Sequence, residues 1–554
     1  MEPFWRKNQK LLLSLAMALG LVAFFKIFGV LVYETNDDTI LASLSYGYYG
    51  TPQGLLVYIH PLMGQALALL QRAVPGISWY FLMELGLLWV SIAVFDRLIL
   101  ERFRGAQALP ALAVLNLYCV YAMLFQLQYT KIAGAASIAG LLLLFWAAEE
   151  NKGWGSWLLG LLLGLAGYCL RSDAFLMILI PLSGVGLAAL VRNLKDRDFR
   201  RAGKLVGSVL LLFALCGGLM LAEQRAYSQD AQWQHYRKFN ALRTELLDYG
   251  FPDYETNQAL YDSLGISEED LELYRGWDFG DPERFNIQTM EALCSAKERA
   301  PLTPGRLLQC LKGSVQGLLR YDFSPCFLLA LGLWAFFTGK KGIFPGVWAV
   351  AAMFGTEAFL LFSGRGLRER VDAPLMLAAT VLLLLSHGGE GRARGRLNAR
   401  ACAMLAAAML LGQSAGLLSR KDRSMEDYVG GAHIQAAFRE MSKDKSTLYF
   451  LRTDELPRDL LPKRQGGFGY YSNIATLGGW LTDSPYTLER NRAYGVENPF
   501  RDMVDREDVA LVSNDPQPVL DYIRAHYAPN AQAVETGLLR GEYKVFRIVS
   551  GERP

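Results

Sequence analysis

Apolar runs long enough to cross a bilayer constrain this chain more than any other feature. Read with a window of about 19 residues, they fall at approximately 11–33, 78–95, 109–127, 132–148, 155–170, 174–191, 205–222, 324–338, 343–362, 372–386 and 401–419. At about 20 residues per crossing, these eleven runs leave two long polar pieces of the 554-residue chain, 223–322 and 420–554. The composition follows from that division. Hydrophobic residues make up 52% and charged residues 20%, yet mean hydropathy is only +0.17, because the polar pieces dilute the spans. A net charge of +3 argues against nucleic acid as a partner. The expected fold is therefore a polytopic α-helical membrane protein of about 11 transmembrane helices in four parts. These are an N-terminal membrane module of seven spans (1–222), an acidic extracytoplasmic helical loop (223–322), a C-terminal membrane module of four spans (323–419) and an extracytoplasmic α/β domain (420–554).

Lys and Arg in short loops set the orientation. Arg6, Lys7 and Lys10 precede the first span, and basic loops recur at every second connection: Arg97, Arg102 and Arg104; Lys152; Arg192 to Lys204; Lys340 and Lys341; Arg392, Arg394, Arg396 and Arg400. This alternation predicts a cytoplasmic N-terminus and puts 34–77, 223–322 and 420–554 on the outer face of a plasma membrane. The segment 54–74 is read as an interfacial or re-entrant helix, because a crossing there would invert every later loop. The first span is long and no small-residue cleavage site follows it, so it reads as an anchor. No Asn-x-Ser/Thr sequon occurs, which favours a bacterial membrane. Of the seven cysteines, only Cys294 and Cys310 lie in an outer loop, as one pair or as two free thiols.

Ionisable residues inside spans are costly and mark functional sites by default. Lys26, Glu84 and Glu357 each lie six or seven residues from the outer end of a span, about 10 Å deep at 1.5 Å per residue. Lys131, Arg171 and Asp173 lie at outer span ends. Six charges at one depth predict a cavity opening outward. The alternatives are local: Lys26 snorkels to the surface, Glu84 and Glu357 are neutral and hydrogen-bonded, and Arg171 pairs with Asp173. The loop SGRGLRERVDAP at 363–374 puts Arg365, Arg368 and Arg370 on the outer side, against the charge rule. Arg suits a phosphate ligand through its planar fork; the alternative is a solvated loop that pairs with Glu369 and Asp372.

Directly after the first span stands ETNDD at 34–38. A carboxylate near a second acid has a pKa raised towards the range of a general base. Thr35 or Asn36 equally caps the next helix, with Asp37 and Asp38 in its first turn. At this motif the chain resembles the GT-C superfamily of integral membrane glycosyltransferases. The resemblance rests on Asn36-Asp37-Asp38 in the first outer loop, the interfacial helices after it, roughly eleven spans and a soluble outer domain after the last. It also resembles a set of bacterial membrane proteins with a paired Asp there, a later His-Pro and Ser-Trp-Tyr (His60-Pro61 and Ser78-Trp79-Tyr80), and a Gln-x-Thr start to the fourth span (Gln128-Tyr129-Thr130). The likeness covers most of 1–419 and none of the tail.

The resemblance implies transfer of a sugar from a polyprenyl-phosphate donor to a cell-envelope glycan, lipid or protein acceptor, usually with inversion. Asp37 or Asp38 would deprotonate the acceptor hydroxyl. Lys131, Arg171, Arg365, Arg368 and Arg370 would bind the donor phosphate, and Lys26, His60, Glu84, Gln128, Asp173, Asp248 and Glu357 would line the cavity or meet the acceptor. No cofactor is firmly implied; the superfamily has a metal-dependent subset, for which Asp37, Asp38 and Asp173 are the ligand set to examine. The rival readings are a polymerase or ligase of lipid-diphosphate-linked oligosaccharides, a transporter or flippase of envelope precursors, and a non-catalytic scaffold.

The two polar pieces differ in pattern. Residues 223–299 hold sixteen Asp and Glu against eight Lys and Arg. Trp233, Tyr236, Phe239, Leu242, Leu246 and Tyr249 recur every three or four residues, as in an amphipathic helix, so a helical cap is expected, with Asp248, Trp277 and Asp278 as acceptor contacts. From 420 onward, 447–452, 508–513 and 543–549 read as strands, and 431–441 and 516–527 as helices. The segment GGFGYYSNIATLGGW at 466–480 lacks a phosphate-loop frame and reads as acceptor-binding, partner-binding or structural. His433 and His526 have no metal-ligand spacing.

Overall fold

The computed structural model describes residues 8–297, 301, 303–386, 398–453, 466–540 and 543–551; Arg6, Lys7, Glu298, Arg392, Arg394 and Arg396 lie outside them. The molecule is mostly helical. In chain order come α1 (Gln9–Phe28), α2 (Asn36–Tyr46), α3 (Pro61–Ala73), α4 (Trp79–Arg102), α5 (Ala108–Cys119), α6 (Tyr129–Glu149), α7 (Trp154–Leu170), α8 (Ser172–Lys195) and α9 (Phe199–Ser228). The polar piece adds α10 (Ala231–Leu247), α11 (Gln258–Leu264), α12 (Glu268–Arg275), α13 (Ile287–Ser295) and α14 (Pro304–Gly317). The bundle resumes with α15 (Ser324–Phe337), α16 (Lys340–Phe362), α17 (Glu369–Leu385) and α18 (Ala399–Met441), and the tail adds α19 (Pro485–Ala493), α20 (Pro499–Asp502) and α21 (Gln517–His526).

Among the described residues seven helices are long and apolar enough to cross a membrane: α1, the Gly105–Leu124 run built around α5, α6, α8, α9, α16 and α18. The apolar helices α7 and α15 are shorter, and α4 and α17 carry charges within their length. Burial divides the bundle as lipid contact would. Helix α6 is buried along nearly its whole length, whereas α1 and α9 expose Leu13, Leu19, Phe24, Leu210, Leu211 and Phe213. Small residues allow the close packing of α6: a Cβ on Gly167 of α7 would meet Ser137 Oγ at 2.1 Å, and one on Gly134 would meet the Pro374 Cβ of α17 at 2.3 Å. All seven cysteines are free thiols.

The bundle has two unlike ends. At one, Lys10 pairs with Glu101, Arg192 with Glu149, and Lys204 with Asn151, while Arg97 and Lys152 lie over the Trp146 ring. The other end is capped. There β1 (Val32–Tyr33) pairs in parallel with β2 (Gln126–Leu127), which brings the chain leaving α1 beside the start of α6.

The tail carries a five-stranded sheet in the order β4-β3-β5-β7-β6: β3 (Leu448–Leu451), β4 (Ile474–Thr476), β5 (Val509–Ser513), β6 (Gln532–Leu538) and β7 (Lys544–Val549). Strands β4, β3 and β5 run parallel, and β7 is antiparallel to β5 and β6. Three strands and the α21 helix fall where the pattern predicts. Strand β6 escapes the pattern because it is a solvent-exposed edge strand with a register shift at Glu535/Gly537. The predicted helix 431–441 is not separate: α18 runs unbroken from Ala399 through position 420 to Met441.

The two polar pieces share one core. Phe239, Leu246, Tyr261, Leu271, Tyr274 and Phe285 of the cap pack with Leu448, Phe450, Val509, Leu511, Val519 and Ile523 of the tail. Polar ties follow the same seam. Buried Asp281 accepts hydrogen bonds from Asn498 Nδ2 (2.9 Å) and from the Tyr522 (2.8 Å) and Tyr527 (2.5 Å) hydroxyls. Truncating Phe450 to Ala should cost about 3–5 kcal/mol. Because the core is shared, amide exchange should accelerate in 258–275 of the cap as well as in the sheet; acceleration confined to the sheet would show two independent cores.

Candidate functional site

The ETNDD motif starts a helix at the capped end. Thr35 is the N-cap of α2 and makes no side-chain capping bond, and Asp37 and Asp38 stand in the first turn. They face different partners. Asp37 is half-buried (15% side-chain exposure) and meets Arg370 Nη1 at 3.0 Å. Asp38 is sealed: its Oδ1 accepts from the Tyr80 hydroxyl and from the Tyr129 N–H, both at 3.0 Å. Glu84 and Tyr33 lie against it in the same buried pocket. Burial lifts the Asp38 carboxyl to about 7; the Glu84 side chain, the Tyr129 N–H and the Tyr80 hydroxyl pull the other way, and Asp37 adds to the rise.

Beside this pair is a buried ion cluster. Lys131, in the first turn of α6, has 0% side-chain exposure and lies 2.6 Å from Glu34 Oε2 and 2.8 Å from Glu369 Oε1. Glu369 also approaches Arg420 of α18 (4.0 Å), and Arg420 bonds Gln126 Oε1 (2.6 Å) and pairs with Asp322 (3.6 Å). Burial, then the Glu369 carboxylate, hold Glu34 above the usual carboxylate range despite Lys131. The ammonium of Lys131, the expected phosphate ligand, thus stands between two carboxylates and ties α6, α17 and the chain after α1 together.

The Arg residues expected to meet the phosphate also separate. Arg370 reaches Asp37. Arg365 sits over the Tyr249 ring of the cap at 6.0 Å, and Arg368 is an exposed N-cap of α17. Arg171, between α7 and α8, pairs with Asp173 (2.8 Å), contacts the Tyr129 hydroxyl (3.4 Å) and stacks on Tyr58 at 4.8 Å. Asp173 itself is 72% exposed and serves only that pair. Tyr58 is the meeting point: Asp37, Arg171, Arg243 and Asp248 all act on it electrostatically.

Several predicted cavity residues do other work. Lys26 is exposed on the apolar outer surface of α1, between Phe24 and Ile27, and does not join the cluster. His60 is the N-cap of α3: Nδ1 accepts from the Leu62 N–H (3.1 Å) and Nε2 meets the Leu219 carbonyl (2.8 Å). Gln128 caps α6, its Oε1 accepting from the Thr130 (2.6 Å) and Lys131 (3.2 Å) N–H groups. Glu357 is buried in α16 against Ser314 Oγ (2.5 Å). Asp278 accepts from the Thr453 N–H (2.6 Å) and Arg452 Nε (3.2 Å), which fixes the cap to the tail. Asp37, Asp38 and Asp173 have separate partners, and among the described residues no group of three or more His, Cys, Asp or Glu is placed to hold a metal.

Two members of the site escaped the sequence reading. Glu34 reaches Lys131 only because β1 pairs with β2, which no local pattern shows. Arg243 left a visible sign: it lies four residues after Phe239 and seven after Tyr236, a cation on an otherwise apolar helical stripe.

No protein-family model matches this chain, and no curated protein matches it at a significant level.

Removing Lys131 would leave Glu34 without its ion-pair partner and Glu369 with only the more distant Arg420, so Lys131→Met should lose about 3 kcal/mol, read by thermal unfolding in detergent; adding Glu34→Gln should recover part of it. Asp38 supplies a pH test. Its folded carboxyl titrates at about 7 against 3.8 for the free group, so the fold binds this proton more tightly than the unfolded chain. Its contribution to stability therefore falls as pH rises from about 4 to about 7 and is level above that. Asp38→Asn should flatten that part of the Tm profile; an unchanged slope would show that the carboxyl is ionised throughout.

Proposed function

We propose that this protein is a membrane glycosyltransferase that moves a sugar from a polyprenyl-phosphate donor to an envelope glycan, lipid or protein acceptor on the outer face. One observation carries the reading: a partly accessible carboxylate, Asp37, stands at the capped end of an apolar bundle beside Arg370 and close to Arg171. Carboxylate and cations are the two parts such a transfer needs.

In this reading Arg370 changes partner. When the donor phosphate enters, the guanidinium turns from Asp37 to the phosphate oxygens, with Arg171 as a second cation, and frees Asp37 to accept a proton. The acceptor hydroxyl gives its proton to Asp37, its oxygen bonds the anomeric carbon, and the bond from that carbon to the phosphate oxygen breaks, leaving polyprenyl phosphate with the electron pair. Asp38 is sealed from an acceptor and holds the first turn of α2 against α6. The basic residues at the uncapped end support an orientation with that end cytoplasmic. Each of the eleven apolar runs overlaps a helix, which supports eleven crossings.

The test uses the full chain in proteoliposomes with a radiolabelled polyprenyl-phosphate-linked sugar. Asp37→Asn should reduce transfer by about a hundredfold or more, the usual contribution of a general base, while Asp38→Asn should cost less. Full activity in Asp37→Asn would overturn the assignment, labelled lipid moved across the bilayer without transfer would favour a flippase, and use only of a diphosphate-linked oligosaccharide would favour a polymerase or ligase.

A further inference from the structure

At Tyr58, where the cap, the tail and the first loop meet, a cation is buried with no carboxylate in ion-pair contact among the described residues, although Asp37 and Asp248 act on the same tyrosine from further away. Arg243 of α10 is 2% exposed. Its hydrogen-bond partners are all neutral: Asn240 Oδ1 takes Nε (3.0 Å) and Nη2 (2.8 Å), Thr244 Oγ1 takes Nη2 (2.7 Å), and the Tyr58 hydroxyl lies 3.4 Å from Nη2. Nη1 has no partner, and among the described residues no carboxylate pairs with this guanidinium. A charge withdrawn from water is ordinarily paired, because desolvation without a counter-ion costs several kcal/mol.

The surroundings give the ligand its shape. The guanidinium stacks on Trp277 at 5.1 Å, and Trp277 itself is held at φ 72°, a conformation side-chain-bearing residues avoid. Trp480 of the tail packs on the Tyr58 ring at 4.9 Å, and its buried Nε1–H also has no acceptor. Two indoles and two unmatched donors, from the cap and the tail, gather at this tyrosine of the first loop: Arg243 and Trp480 touch Tyr58, and Trp277 stacks on Arg243. Tyr58 carries Arg171 on its ring and Arg243 at its hydroxyl, so this place adjoins the Asp37 and Arg370 site across that one tyrosine.

We infer that Arg243, Trp277 and Trp480 form a second binding site, for an acidic saccharide whose carboxylate pairs with Arg243 while its ring lies on the indoles. Resting on the transferase reading, this makes the acceptor an acidic glycan. A phosphate group offers the same oxyanion chemistry, so the test must separate the two.

The experiment is direct binding to the full-length protein in nanodiscs, with no transfer step, so that it stands or falls apart from catalysis. The probes are glucuronate, glucose and inorganic phosphate, read by saturation-transfer NMR and quenching of indole fluorescence. Glucuronate should bind saturably and glucose at least tenfold more weakly, and Arg243→Met should abolish the difference while Asp37→Asn leaves it intact. Equal binding of glucuronate by Arg243→Met, preference for inorganic phosphate over glucuronate, or no binding by any probe would overturn the assignment. Thermal unfolding guards against a merely structural role: Arg243→Met should match or exceed the wild-type Tm, since it removes an unpaired buried charge, and a large fall in Tm would show that Arg243 serves the fold.

Discussion

The structure depends on one buried ammonium group. Lys131 has no contact with solvent, and its charge is offset only because Glu34 and Glu369 arrive from two other segments. Neither would be there by itself. Glu34 is delivered by the parallel β1-β2 pair, and Glu369 by the close approach of α17 to Gly134. From Glu369 the alternation of charge continues through Arg420 and Asp322 to Arg423. Such a network adds little net stability relative to apolar packing, but it punishes any misplacement of a single member. Its product is position: Arg370, next in sequence to Glu369, is set against Asp37.

The outer layer is organised by a second constraint, the shared core of cap and tail. Neither polar piece closes over its own apolar face, so each completes the other. The joined unit then rests on the first loop through main-chain bonds from Gly469 to Gly47 (2.8 Å) and from Tyr471 to Tyr48 (2.6 Å), and through a cluster of tyrosine rings. The Gly- and aromatic-rich segment at 466–480 is thus part of the docking face, and Trp480 at its end is carried to Tyr58.

The helical, apolar character of the bundle was legible because apolar length is a one-dimensional signal. Asp37, Arg370 and Arg171, which the fold brings near one another, stood out for a related reason: each is a charge beside an apolar run. What each charge does was not. Lys131, Glu84 and Glu357 look alike in sequence, and only the packing of helices distant in the chain decides that Lys131 is paired twice, that Glu84 lies under Asp38, and that Glu357 meets a serine. Lys26 and His60 show the same limit, one facing outward from the bundle and the other spent on a helix end. Edge strand β6 was invisible because its side chains are in solvent on both faces.

Helix α18 has 43 residues, about 65 Å at 1.5 Å per residue, roughly twice the thickness of a bilayer's hydrocarbon layer. Arg420 marks the point where it leaves the apolar stretch, and there it is tied to the Glu369 network. Within a few residues of its end the chain enters β3, so one unbroken helix joins the bundle to the sheet, and the position of the sheet is set by that of the bundle helices with no flexible linker between them.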